Sequence, residues 1–423
     1  DLPITSNLLD AAINSGTGID YFKLSKEFDF VTWDNYIEFQ WGKAKPETVS
    51  RDHALLRSYK KKPFWVMEQQ SGPCGWSKMG PTPTPGKLRL WTYQSVANGA
   101  DTVVYFRWRA CPFGTEELWH GILNHDGKPN RRYAEISQVG AEMEELSKSY
   151  QALMPRARVA IIKSFDSEWS QSIHRQVEGL YYDSLLLDYY RPFWNMGIPV
   201  DFVTAEEELD GYDLVLAPML MMVSDEGKKN IESYAQAGGK ILFSFRSGIK
   251  DMLTETVPGA FADLAGVEVE DYDPLLEKTT AASGVFGNGT AHMWCDIVKP
   301  VTAKILGRYT SDFYAGEACM TVNQTGKGEV YYLGCDLDEK AMKMLAVYLG
   351  RKAGIDMDLY KVDGVEVVDA TDGTNDALFI LNYNDHSVIV SMEQSYENMI
   401  THETVENVVE LKPYDVAILK EAN

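Results

Sequence analysis

Glu68 ends the run PFWVME, residues 63–68, and is followed by two amides and a glycine-proline break, QQSGP. An apolar strand that terminates in one carboxylate places an anionic oxygen pair on a rigid support, where it can attack an electrophilic carbon, take a proton or bind a hydroxyl. Other polar groups recur at matching places: Asn7, then Asp34 with Asn35 and Tyr36, then Glu68 with Gln69, then Arg107 with Trp108. Each group follows a short apolar run, at Leu2–Ser6, Phe28–Trp33, Phe64–Met67 and Thr102–Arg107. Helix-like or loop segments separate these runs, a rhythm that predicts parallel β-strands in a sheet or barrel. Reacting groups in such folds sit at the carboxyl ends of the strands, where loops vary without disturbing the interior. Only four such units fit in residues 1–150, half of what a closed (β/α)8 barrel needs.

The whole chain has 423 residues, enough for two to four domains at roughly 100–200 residues each. Its formal net charge of -22 repels phosphate backbones and anionic lipid heads, so neither nucleic acid nor a membrane surface is an expected partner. The five cysteines are scattered and lack C-x-x-C spacing, and His53, His174, His292, His386 and His402 show no ligand spacing. Free thiols in a reducing, cytoplasmic setting are expected, with no metal and no cofactor. No run of about 18 apolar residues occurs. The start, DLPITSNLLD, lacks the features of a signal peptide and reads as the middle of a longer protein.

From residue 151 a second rhythm begins. RVAIIKS, IPVDFVT, DLVLAP and KILFSF read as strands, YDSLLLDYYRPFWNMG and EGKKNIESYAQAGG as helices, the latter closed by Gly238 and Gly239. A flavodoxin-like doubly wound domain is expected over 151–357, without a glycine-rich phosphate loop. Residues 358–423 alternate apolar and polar positions, as a small antiparallel β-sandwich domain does.

The motifs FWVMEQQSGPCGW, PGKLRLWTYQSVANGADTVVYFRWR and EELWHGILNHDGKP, with PITSN, GIDYFK and FVTWDNY upstream and GIPVDFV, LVLAPML and AGGKILFSFRSGI downstream, occur in this order. Together they resemble the glycoside hydrolase family 42 β-galactosidases. The resemblance implies the C-terminal half of a (β/α)8 TIM barrel over 1–150, a trimerisation domain over 151–357 and a β-domain over 358–423. It implies Glu68 as the nucleophile of retaining hydrolysis of terminal β-D-galactosides. Such enzymes hold two carboxyl groups about 5–5.5 Å apart, one attacking the anomeric carbon and one protonating the departing oxygen. Gln69 and peptide N–H groups are expected to hold the Glu68 charge and rotamer. The resemblance also implies Trp76 as an indole platform for the galactosyl ring, Phe106 as a second aromatic contact, and Glu117 with His120 on the sugar hydroxyls, with Glu116 an alternative to Glu117. Tyr36, in WDNY, corresponds to a tyrosine that bonds the nucleophile or the substrate, although Ile37 replaces the usual following proline. Taken alone, Trp76 and Phe106 read more often as core than as platform, and E-x-x-H as a solvated helix face. Trp33 and Asp34 read as pocket lining or as fold support, HDG at 125–127 as a turn, and the second MEQ, Met392 to Gln394, as strand surface.

The family's acid/base glutamate follows an asparagine, and no Asn-Glu pair occurs here. It is therefore expected upstream of residue 1, with the first barrel half, in a truncated or split protein. A separate chain supplying that half is one expectation. Rival readings are an α-L-arabinopyranosidase and a non-catalytic assembly or galactoside-binding fragment.

Overall fold

The computed structural model describes residues 2–8, 18–358, 360 and 362–422. Its first sheet has four parallel strands in chain order, Asn7–Leu8, Thr32–Asn35, Phe64–Gln70 and Ala100–Phe106. The sheet is open, and no closed barrel forms among the described residues. The first two strands differ from expectation. Leu2 and Ile4 are exposed, and Ile4 and Thr5 bond Asp29 and Phe30 instead of a continuous ladder, so pairing begins only at Asn7. Phe28 caps a 3-10 turn and Phe30 packs on Trp65, which delays the second strand to Thr32.

The Pro46–Lys60 helix starts on a proline at its first turn, where no N–H partner is lost. It is buried nearly all round, with Ala54, Leu55 and Leu56 fully inaccessible, because it lies between the first sheet and the middle region. Its charges therefore face partners across that junction: Arg51 meets Asp183 at 2.9 Å and Arg57 meets Asp201 at 2.9 Å.

In the middle region five parallel strands lie in the order Val200–Val203, Val159–Ile162, Leu214–Ala217, Lys240–Ser244 and Gly328–Leu333. This is the order of a flavodoxin-like sheet. Helix Asp225–Ala237 ends at Gly238, whose φ of 127° suits glycine. Beyond Gly328–Leu333 the sheet continues antiparallel through Ala318–Thr325, Lys304–Tyr309, Thr280–Gly284 and Gly287–Ala291, an extension the sequence reading did not contain.

The last region is an antiparallel sheet of six strands with a separate strand pair, Val388–Ser391 and Val408–Leu411. Its edge strand Met154–Pro155 comes from the stretch just before strand Val159–Ile162 of the middle region. One sheet face packs on Leu90, Tyr93 and Leu146 of the helices behind the first sheet, and the other covers Val390 and Val409. All five cysteines are free thiols.

Candidate active site

Parallel pairing puts Asp34 directly opposite Glu68 at the carboxyl end of the first sheet. Glu68 is half-buried, and the Tyr36 hydroxyl donates to its Oε2 at 2.6 Å. Burial, and then the hydrogen bond to Glu68, push the Tyr36 phenol far above its ordinary range, so it stays a donor. Gln69 does not take the part expected of it. Successive strand residues face opposite ways, and its Oε1 accepts from Asn35 at 3.1 Å. Tyr36 restrains the carboxylate instead. Replacing Tyr36 by Phe is expected to slow any reaction at Glu68 by about ten- to a hundredfold, the size of one hydrogen bond to a charged group. The rate of covalent labelling of Glu68 checks this.

Asp34 is held at Oδ1 by Asn7 Nδ2, 2.8 Å away on the next strand. Burial, and then the Glu68 charge, raise its pKa to about 7 against that bond. The folded state thus keeps a proton that the unfolded chain releases near pH 3.9, and stability from this group is lost as pH rises from about 4 through 7. Asp34→Asn keeps the Asn7 bond and removes the proton, so its melting temperature relative to wild type should climb over that interval and then level off in thermal melts. Trp33 serves the fold: it is buried edge-on to His53, whose pKa burial lowers to about 3.

Aromatic rings surround the carboxylate. Tyr36 lies 5.5 Å from Trp119 and 6.5 Å from Phe106, and Trp119 lies 5.7 Å from Phe106 and 5.6 Å from Trp76. Trp119, buried and donating through Nε1 to Gly75 O, was missed although it stands between Glu117 and His120 in the sequence. Trp76 is 55% exposed, an indole face open to a ligand.

His120 packs against Gly72, where a Cβ would approach to 2.9 Å, and accepts at Nδ1 from Arg132 at 3.4 Å. Burial, then Arg132 and His125, lower its pKa, which keeps the ring neutral. Residues 115–118 form a turn rather than a helix. Glu117 is exposed there, while Glu116 pairs with Arg107 at 2.7 Å. The structure thus joins Glu68, Tyr36, Trp76 and Phe106 in one cluster with His120 beside it, and leaves Glu117 at the rim. His125 and Asp126 lie in the expected turn, and Glu393 in a bend just past a strand. Among the described residues no group of three or more His, Cys, Asp or Glu side chains could hold a metal, and no helix is long and apolar enough to cross a membrane.

Family models described as β-galactosidase, β-galactosidase trimerisation domain and β-galactosidase C-terminal domain match residues 1–146, 157–356 and 364–421, in that order. The chain belongs to glycoside hydrolase family 42. It is 32% identical to β-galactosidase BgaA of Clostridium cellulovorans over 95% of this chain and 62% of that protein. With β-galactosidase LacZ of Heyndrickxia coagulans it shares 31% identity over 99% and 63%. The crystal structure of the β-galactosidase from Bacillus circulans sp. alkalophilus superposes with a TM-score of 0.94 at 28% identity, over 100% of this chain and 64% of that one. The cold-adapted β-galactosidase from Rahnella sp. R3 gives 0.90 at 29%, over 99% and 63%. This family 42 chain therefore spans just under two thirds of the length of these relatives.

Proposed function

We propose that this chain carries the nucleophile side of a retaining β-galactosidase acting on terminal β-D-galactosides. The observation that carries this reading is the 2.6 Å Tyr36–Glu68 hydrogen bond inside the aromatic cluster at the carboxyl ends of parallel strands. A half-exposed carboxylate held by a phenol is oriented to attack the anomeric carbon from below the ring. Trp76 and Phe106 take the apolar C–H face of galactose, as aromatic rings do, and His120 with Glu117 or Glu116 take its hydroxyls.

On this reading the four parallel strands are half of a TIM barrel, and the domains run 1–150, 151–357 and 358–423. The 151–357 domain assembles a homotrimer, as the description of its family model suggests. The acid/base carboxyl comes from outside the cluster described here, from another segment or a separate chain. Retention requires a covalent galactosyl ester on Glu68, and an activated aryl galactoside forms it with little need of protonation. Incubation of the chain with a slowly released 2-fluoro-galactosyl donor, then peptide mass spectrometry, should find the added mass on the peptide containing Glu68. Galactose binding without labelling would favour a non-catalytic galactoside-binding protein.

A further inference from the structure

Trp41 occupies the tip of a small hairpin, Glu38–Phe39 paired with Gly42–Lys43, and 78% of it is exposed. A single exposed indole is ordinary, but exposed aromatic rings that touch one another make a patch of the kind that marks a binding surface. This one is held firmly. The root of the hairpin is clamped by Gln70, two residues beyond Glu68: its Oε1 accepts from Ile37 N at 2.9 Å and Glu38 N at 2.8 Å, and its Nε2 donates to Glu38 O at 2.7 Å. At the tip, Gln40 Oε1 accepts from Trp76 N at 2.6 Å and Ser77 N at 3.0 Å. Trp41 and Trp76 are thereby fixed to each other through a side chain that neither ring uses for stacking.

Their ring centres are 6.0 Å apart at 65°, and both rest on Phe39, at 4.8 and 5.2 Å. Along the ring contacts from Trp119, which touches Tyr36, to Trp76 and then Trp41, exposure rises from 4% to 55% and 78%. That gradient describes a path leading outward from the carboxylate, with a rigid aromatic surface for a second ring beyond the first. Two indoles inclined at 65° cannot both stack on one pyranose.

Resting on the reading of Glu68 and Trp76 as the galactosyl site, we infer that Trp41 is the platform for the next residue of the substrate, a pyranose presenting its C–H face. The hairpin thereby selects galactosides with a sugar aglycone. Binding of galactose and of a thio-linked β-galactosyl disaccharide, which resists hydrolysis, is measured calorimetrically on wild type, Trp41→Ala and Trp41→Phe. Trp41→Ala should weaken the disaccharide by about 3- to 10-fold, the size of one aromatic contact, with galactose unchanged and Trp41→Phe close to wild type. Unchanged galactose binding confirms that the variant is folded. If wild type binds galactose and Trp41→Ala binds the disaccharide equally well, the assignment is wrong. If wild type binds neither sugar, the galactosyl reading itself falls and Trp41 falls with it. A loss of oligomer mass in Trp41→Ala with unaltered sugar binding would place the indole at a subunit contact and overturn the inference.

Discussion

Glu68→Ala should abolish galactosyl-enzyme formation and lower turnover of an activated aryl β-galactoside on the order of 10⁴-fold, as loss of a reacting side chain does. Several residues around the cluster could reduce the rate by loosening it, so the rate alone is weak proof. The stereochemistry is stronger. Removing the carboxylate opens a small space beneath the anomeric carbon, between the Tyr36 hydroxyl and the partner position Asp34. Azide added at high concentration can attack there as the aryl oxide leaves with the bonding electron pair. One displacement inverts the centre, so the product should be α-galactosyl azide. Loss of an acid/base residue would instead leave the covalent ester in place, and azide opening that ester would give the β-azide. An α-product assigns Glu68 as nucleophile. A β-product, or a Glu68→Ala chain as active as wild type, would move the nucleophile elsewhere.

The candidate site is legible in the sequence where chemistry and a strand end coincide. PFWVME announced Glu68 because an apolar run long enough to be a strand terminates at a charge, and the structure extends that strand only to Gln70. The role of Gln70 was not readable, because its value comes from three hydrogen bonds to a hairpin some thirty residues earlier. Gln69 is adjacent to Glu68 in sequence but not in space, because strand alternation turns it toward Asn35. At the scale of the fold, four of the five parallel strands of the middle region are mostly apolar runs that mark them in the sequence, whereas the fifth, Gly328–Leu333, carries a glycine, a glutamate and two tyrosines and is not so marked. The antiparallel extension is not marked either. Val267–Pro274 is mostly exposed, and Thr280–Gly284 and Gly287–Ala291 are rich in glycine and alanine, so neither β-propensity nor alternation marks them. Val267–Pro274 and Thr280–Gly284 are strands because pairing to Trp294–Pro300 and Lys304–Tyr309 makes them so, and Gly287–Ala291 is one because it pairs with Thr280–Gly284.

The same non-local logic predicts the largest stability effect, at Glu366. This carboxylate is 1% exposed, and each of its oxygens accepts two hydrogen bonds. Oε1 takes Ser50 Oγ at 2.6 Å and Asn98 Nδ2 at 2.9 Å, and Oε2 takes Gln94 Nε2 at 3.0 Å and Tyr383 Oη at 2.8 Å. Ser50 also pairs with Tyr190 at 2.8 Å, so one side chain of the last region ties together two helices of the first and one of the middle. Glu366→Ala takes the acceptor from four buried donors around a cavity, at about 1–3 kcal/mol for each that finds no other partner; Ser50, Asn98 and Gln94 keep one elsewhere. A net loss of about 3–5 kcal/mol is expected, a large part of the 5–15 kcal/mol typical of a folded protein. Urea unfolding should show it as a lower midpoint, and as a split transition if the regions lose their coupling. Glu366→Gln preserves the shape but turns an N–H toward two donors, so it should lie between Ala and wild type. Its pH dependence tests the charge itself. Burial raises the Glu366 pKa although its four donors lower it, so the folded state holds the proton more tightly than the unfolded one. Wild type therefore loses stability relative to Glu366→Gln as pH rises from about 4.3 through the folded value, and their midpoints should converge over that range. A constant gap between them would mean that the four donors just offset burial, and a gap that widens as pH rises through the carboxylate range would mean that they outweigh it.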